Sequence, residues 1–239
     1  SELQSAERIG RQEMKDYYSM WAHQIKTPIA AMKVLAQAAS DTEDARTYEL
    51  LQDMQTELFK TEQYVEMVLT YVRMEDMSGD LMLKEYALDN LIKQALKKYS
   101  RMFAMQKLAL HYEALRVTVT TDEKWLVFVL EQILSNAIKY SGENRAVTIQ
   151  INRNEADNTC ELVISDQGIG IRKEDLPRIF EKGYTGYNGR ADKTSTGIGL
   201  YLCREITKKL GHGIMITSEI GKGTDVTIVF ERNNLDVRD

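Results

Sequence analysis

Few residues in this chain could carry chemistry, and they fall in a definite order. His23 sits in Trp21-Ala22-His23-Gln24-Ile25-Lys26-Thr27-Pro28-Ile29, with Thr27 four residues on. A neutral imidazole is a good nucleophile near neutral pH. Pro28 removes a backbone donor and bends a helix near it. A lone helical histidine is nevertheless more often structural. His111 and His212, without comparable neighbours, read as structural residues.

Asn136 lies in Leu134-Ser135-Asn136-Ala137-Ile138-Lys139-Tyr140. Asn is a poor helix former, so an interior one among apolar residues invites a reason. Its amide oxygen is a hard ligand suited to Mg²⁺, which keeps several waters and takes few protein groups. The alternative is an interior hydrogen-bonding Asn. Lys139, nearly one turn on, is placed to reach a phosphate.

Three glycine turns follow: Asp166-Gln167-Gly168-Ile169-Gly170, Thr196-Gly197-Ile198-Gly199 and Gly221-Lys222-Gly223-Thr224. Glycine permits close backbone approach and positive φ. A carboxylate at a strand end, as expected for Asp166, can accept a hydrogen bond from an exocyclic amine such as that of adenine. Alone, an Asp-Gly turn is usually only a turn. A dinucleotide fingerprint would need a third Gly where Lys173 stands, and no G-x-x-x-x-G-K-[ST] occurs, so Rossmann and P-loop readings both fail. Residues 180–197 form a polar stretch with Gly183, Gly186, Gly189, Lys182, Arg190 and Lys193. A long loop of this kind inside a compact domain is usually functional or disordered, and mobile glycines with cations fit a lid over a triphosphate. The helix opening at Thr196 to Gly199 presents amides that favour an anion.

These groups need elements to position them. From residue 2 to 39, apolar residues recur at intervals of three and four: Met20/Trp21, Ile25, Pro28/Ile29, Met32 and Leu35/Ala36. Ser40-Asp41-Thr42-Glu43-Asp44 breaks the pattern. It resumes over 43–77 through Leu50/Leu51, Met54, Leu58, Val65, Val68/Leu69 and Val72. Two long helices joined by a short turn make an antiparallel hairpin. Two such hairpins paired as a four-helix bundle bury both apolar stripes, which predicts a homodimer; packing against the rest of the chain is the alternative.

Ser78-Gly79-Asp80 marks a boundary, giving domains 1–78 and 79–239. Strands are expected at 81–86, 108–112, 117–120, 146–152, 160–165, 214–218 and 225–230. Helices are expected at 88–106, 121–140, 171–178 and 199–210. This mixture predicts an α/β sandwich, one mixed sheet with helices on one face. The fold class is therefore α plus α/β.

Hydrophobic residues make up 43% of the 239 and charged residues 28%, ordinary for a globular chain. No run approaches the roughly eighteen unbroken apolar residues of a membrane span, and no signal peptide opens the chain. The start inside a polar helical pattern leads us to expect a membrane part upstream. Cys160 and Cys203 sit in apolar company and read as reduced core thiols. Three histidines without a Cys/His cluster argue against structural zinc. Residues 1–78 hold 14 acids against 8 bases, and residues 79–239 hold 22 against 23. No basic face is visible, so nucleic acid is excluded as the expected partner. The acidic helical half suits a basic protein surface or simply solvent.

In this order the motifs resemble the sensor histidine kinases of bacterial two-component systems, and the match runs over nearly the whole chain. His23 to Ile29 looks like the H-box and Asn136 like the N-box. Asp166, Gly168 and Gly170 look like the G1 box, Phe180 the F-box, Thr196 to Gly199 the G2 box, and Gly221 to Thr224 the last glycine turn. Tyr17-Tyr18 and the His-Gln-Ile-Lys-Thr-Pro wording are similar to the intramembrane-sensing subgroup, which works beside ABC transporters. The resemblance implies a dimerising phosphoacceptor hairpin and an ATP-binding sandwich, in the cytoplasmic portion of a bacterial inner-membrane protein. It implies ATP and Mg²⁺ as cofactors and a response regulator receiver domain as partner. His23 would take the γ-phosphoryl group, with Gln24 beside it, and Thr27 would orient water in the reverse, phosphatase reaction. Asn136 would bind Mg²⁺. Lys139, Tyr140, Lys182, Gly197 and Gly199 would line the phosphate end. Asp166, Gly168, Gly170 and Thr224 would line the adenine end.

Two departures stand out. Family members often carry an acid after the histidine, where this chain has Gln24; an amide fixes a tautomer but cannot take a proton. A second Asn often precedes the N-box Asn by one turn, where this chain has Gln132. Two rival readings remain. One is an ATPase or serine kinase with the same nucleotide fold, which leaves the hairpin and His23 without purpose. The other is an ATP-binding dimeric phosphatase or scaffold with weak kinase activity, which Gln24 keeps open.

Overall fold

The computed structural model describes residues 25–39, 45–74, 77–113, 116–142, 145–154, 159–191, 195–230 and 235–236. The chain divides into two units, Ser1–Glu75 and Asp76–Asp239. His23, Gln24 and the turn expected at 40–44 lie outside the described residues.

The first unit contains helix α1 (25–39) and helix α2 (Ala45–Met74), the two arms of the expected hairpin. Residues 45–74 hold no Gly or Pro and are rich in helix formers. Thr56 and Thr61 turn their hydroxyls back to the carbonyls of Gln52 and Glu57, so their β-branched side chains are accommodated. Leu51, Leu58, Val65 and Val72, seven residues apart, are all exposed along α2.

The second unit runs α3 (Met77–Asp80), β1 (Lys84–Ala87), α4 (Leu88–Met105), β2 (Ala109–Tyr112), β3 (Thr118–Thr121), α5 (Glu123–Ser141), β4 (Ala146–Asn154) and β5 (Thr159–Asp166). A 3₁₀ turn (Leu176–Arg178) follows, then α6 (Gly186–Ala191), α7 (Gly199–Lys209), β6 (Gly213–Glu219), β7 (Gly223–Phe230) and β8 (Leu235–Asp236). The main sheet has strand order β2-β4-β5-β7-β6. Only the β2–β4 pair is parallel, so the sheet is mixed, as expected. Alternate residues Val147 and Ile149, Leu162 and Ile164, Val226, Ile228 and Phe230 are buried, while Gln150, Asn152, Asp225 and Met215 face solvent. Helix α5 packs on β4, β5 and β7, and α7 on α5 and β6, so this layer covers the buried face. Leu126, Leu130, Ile133 and Leu134 of α5 lie at the centre. Truncating one of them to Ala costs about 2–5 kcal/mol.

Asp122 starts α5. Its Oδ1 accepts the backbone N–H groups of Lys124 and Trp125, and its Oδ2 that of Met82. The helix that carries Asn136 is therefore tied at its origin to the segment leading into β1.

Three expectations are corrected. The strands near 81–86 and 117–120 form, but they pair with each other, and β3 pairs with β8, in a separate three-stranded sheet. The expected helix at 171–178 is only the 3₁₀ turn, because Pro177 suits a first turn and cannot sit in a helix interior. The stretch 180–197, expected to be loop throughout, contains α6.

Candidate active site

The site forms around the end of β5. Asp166, its last residue, is paired in register with Thr224 of β7. Gly168 N–H donates to Asp166 Oδ1 at 2.8 Å and turns the chain back on the carboxylate. Burial raises the Asp166 carboxyl to about 6, with the nearby Asp225 charge adding to it; backbone hydrogen bonds from Gly168 and Thr224 work the other way. A carboxylate held this far above its ordinary range, at a strand end, gains from a neutral donor that satisfies it.

The glycines around it are demanded by backbone proximity. A Cβ on Gly168 would lie 2.5 Å from the Tyr140 carbonyl oxygen, at the end of α5. Ile169 N–H donates to that same oxygen at 3.1 Å. Gly223 has φ +116°, and a Cβ there would meet the Asp166 carbonyl oxygen at 1.9 Å. Three separated sequence segments thus converge on Asp166 so closely that side chains are excluded.

Ser218 locks two of these segments, and no sequence motif marked it. Its hydroxyl donates to the Gly223 carbonyl at 2.7 Å, accepts from Ile171 N–H at 2.8 Å and lies 3.0 Å from Thr224 Oγ1. The only sequence signal was its place at the end of a strand one turn before Gly221.

On α5, Gln132, Asn136, Lys139 and Tyr140 fall on one helical face by their spacing of three and four. Gln132 is buried, Asn136 and Tyr140 half-buried and Lys139 exposed. Lys139 Nζ donates to Ser195 Oγ at 2.9 Å, and Tyr140 OH lies 3.2 Å from the same oxygen. Lys139 and Tyr140, expected at the phosphate end, are therefore brought against the far end of the expected lid. Gly197 closes that end. It has φ +66°, and a Cβ would meet the Gly183 carbonyl carbon at 2.5 Å. Gly183 N–H donates to the Gly197 carbonyl at 3.0 Å. Gly199 is the first residue of α7, and Lys182 is half-buried beside Gly183. In the first unit, Thr27 is exposed on α1.

His212 keeps its structural reading. It is buried, its Nε2 lies 3.1 Å from Thr121 Oγ1, and its ring meets Phe230 edge-on. His111 is exposed on β2, and Cys160 and Cys203 are buried and form no disulfide with each other.

With this geometry, residues 121–234 match the family described as "Histidine kinase-, DNA gyrase B-, and HSP90-like ATPase". Residues 13–76 match the "His Kinase A (phospho-acceptor) domain". The chain thus carries both domains of a histidine kinase, the phospho-acceptor domain and the ATPase domain. It is 33% identical over 218 residues to sensor histidine kinase YxdK of Bacillus subtilis (strain 168), covering 90% of this chain and 64% of that one. It is 32% identical over 229 residues to sensor protein BceS of Halalkalibacterium halodurans, covering 95% of this chain and 65% of that one. The chain thus spans somewhat under two thirds of the length of these curated relatives. Among solved structures, histidine kinase ThkA in complex with response regulator protein TrrA matches with a TM-score of 0.63 at 20% identity, covering 95% of this chain and 65% of that one. That likeness concerns the fold. Among the described residues, no helix is long and apolar enough to cross a membrane.

Proposed function

We propose that the chain phosphorylates itself on His23 with ATP and passes the phosphoryl group to an aspartate on a response regulator. In this reading residues 1–78 are the dimerising phosphoacceptor hairpin and residues 79–239 the catalytic domain. The observation that carries it is the Asp166 cradle, in which a half-buried carboxylate at a strand end is closed in by Gly168, Gly223 and Thr224. A carboxylate so held suits the exocyclic amine of adenine, with Thr224 and Ser218 steadying it.

The other roles follow by position. Gly170 shapes the adenine turn. Asn136 and Lys139, one turn apart on α5, face the phosphate end together with Tyr140, Lys182, Gly197 and Gly199. Among the described residues no three His, Cys, Asp or Glu side chains gather as a metal site. A magnesium ion here therefore fits Asn136 and substrate phosphates, the sparse coordination this ion favours, and would neutralise the phosphate charge. The protein's contribution is positioning and charge stabilisation, as in other phosphoryl transfers. The transfer breaks the bond between the γ-phosphorus and the bridging oxygen, forms one to the His23 imidazole and releases ADP. Thr27, exposed on α1 four residues after His23, orients water in dephosphorylation of the regulator.

The exposed seven-residue repeat on α2 (Leu51, Leu58, Val65, Val72) supports a second copy of this chain as the covering partner. The response regulator finds support in the solved complex of ThkA with TrrA. The likeness to BceS and YxdK supports the subgroup placement, with an upstream membrane part in the inner membrane and an ABC transporter as partner. One specific residue, Gln24, favours a second reading, a phosphatase or scaffold with weak kinase activity.

The test is the chemistry of the label from γ-labelled ATP and Mg²⁺. Label that survives alkali and is lost in acid supports histidine phosphorylation. Acid-stable label would point to a serine kinase on the same fold, and ATP binding without label to the phosphatase reading.

A further inference from the structure

One buried carboxylate outside the nucleotide motifs joins the lid to the adenine end of the site. Asp175 lies in the turn after Gly170, held by Asp175 N–H to the Arg172 carbonyl at 3.0 Å and by Arg178 N–H to the Asp175 carbonyl at 2.9 Å. It is buried. Its Oδ1 accepts the Tyr184 hydroxyl, and its Oδ2 accepts Tyr187 N–H at 3.0 Å, in the first turn of α6. Gly186, with φ +57°, lets this turn descend onto the carboxylate; a Cβ there would lie 3.2 Å from Asp175 Oδ2. Outside, the Arg172 guanidinium stacks 3.5 Å from the Tyr187 ring centre.

The same turn is fixed to the adenine cradle. Ile171 N–H donates to Ser218 Oγ, which lies 3.0 Å from Thr224 Oγ1. Covalent chain and hydrogen bonds therefore run without interruption from Thr224 through Ser218, Ile171 and Asp175 to Tyr187 at the start of the lid.

We propose that Asp175 is a positioning residue that sets the start of the nucleotide lid relative to the adenine cradle, so that closing over a triphosphate costs little ordering. This rests on the reading of residues 180–197 as that lid. The arrangement favours a carboxylate. It is acceptor-only, and its two oxygens face a hydroxyl and a backbone N–H. An amide of the same size can accept Tyr187 N–H on its oxygen but meets the Tyr184 hydroxyl through its NH₂, so charge-assisted bonds are replaced by weaker neutral ones and the hydroxyl must turn round. The lid then starts from a wider set of conformations, and the entropy of fixing it falls on nucleotide binding. The phosphoryl-transfer step, which Asp175 does not touch, keeps its rate once ATP is saturating.

The test uses the whole chain and two variants, Asp175→Asn and Tyr184→Phe. Three readouts are taken: KM for Mg-ATP against the saturating autophosphorylation rate, tryptic cleavage within residues 186–195 without nucleotide, and the melting temperature. Asp175→Asn is expected to raise KM about tenfold, consistent with loss of a charge-assisted hydrogen bond. It should also speed lid cleavage, with the saturating rate kept within about twofold. Tyr184→Phe should move the same readouts less, and the double variant no further than Asp175→Asn alone. Unchanged KM and cleavage overturn the proposal. So does an equal fall in KM-normalised and saturating rates with a lowered melting temperature, which would mark general damage. If Asp175→Asn does not fold, Tyr184→Phe decides on the same readouts. If the parent takes no label at all, the kinase reading fails, and the cleavage comparison still decides whether Asp175 anchors this segment.

Discussion

Lys139 Nζ donates to Ser195 Oγ at 2.9 Å, tying the last turn of the helix that carries Asn136 to the stretch 180–197 that we propose as the lid. Tyr140 OH lies 3.2 Å from the same oxygen, so one hydroxyl meets two side chains of α5. Removing it in Ser195→Ala should loosen the closing bond between Gly183 and Gly197. Amide hydrogen exchange is expected to rise at Gly183 in the nucleotide-free protein, while the amides of β5 keep their protection. Equal exchange at Gly183 in parent and variant would show that the clasp holds nothing.

Asp166 gives a pH dependence with a definite sign. Burial raises its carboxyl to about 6, and in the proposed role the ionised form is the stronger acceptor for the exocyclic amine of adenine. Nucleotide affinity should therefore be full above pH 7 and fall as pH drops through 6, by about tenfold at pH 5. Asp166→Asn should bind at least about tenfold more weakly at pH 7.5 and lose this part of the pH dependence. Calorimetric titration with ADP from pH 5 to 8 in both proteins measures it. Parallel pH curves would remove Asp166 from the binding event.

His212 affects stability with its own sign. Burial lowers its pKa to about 4 against an ordinary 6.5. Between these values the unfolded chain binds a proton that the folded one refuses. Stability is thus complete above pH 6.5 and falls as pH drops toward 4, by about 2 kcal/mol at pH 5. His212→Gln can keep a hydrogen bond to Thr121 but cannot titrate. Urea unfolding at pH 7.5 and 5 should show a smaller loss in the variant, and identical losses would count against this assignment.

Gln24 cannot take the proton that a nucleophilic imidazole releases. Gln24→Glu is expected to raise the initial rate of autophosphorylation between pH 6 and 9. An unchanged or lower rate at every pH would mean that another group or water already serves.

The parts of this fold legible in the sequence are those whose causes are local. Asp122 announces α5 because an acid before an apolar helical run caps its own helix. Gly168 and Gly223 stand out because the chain there approaches backbone too closely for any side chain. Ser218 and Asp175 escaped notice because their partners are set by strand register and by a turn's return path. Ser218 receives Ile171 N–H across 47 residues, and no spacing rule reaches that far. Helix α6 was hidden for a related reason. Gly186 and Gly189 argue against a helix, while the Asp175 carboxylate that holds Tyr187 N–H outweighs their propensity. β1 and β3 were likewise legible as strands, but strand character carries no information on which sheet they join.

The central claim is that the Asp166 and Asn136 site serves His23. The most direct measurement compares the parent with His23→Ala and Asn136→Ala, following acid-labile label from γ-labelled ATP and nucleotide binding in each. The account predicts label on the parent only, with His23→Ala still binding nucleotide as the parent does. Acid-labile label retained on His23→Ala would contradict it.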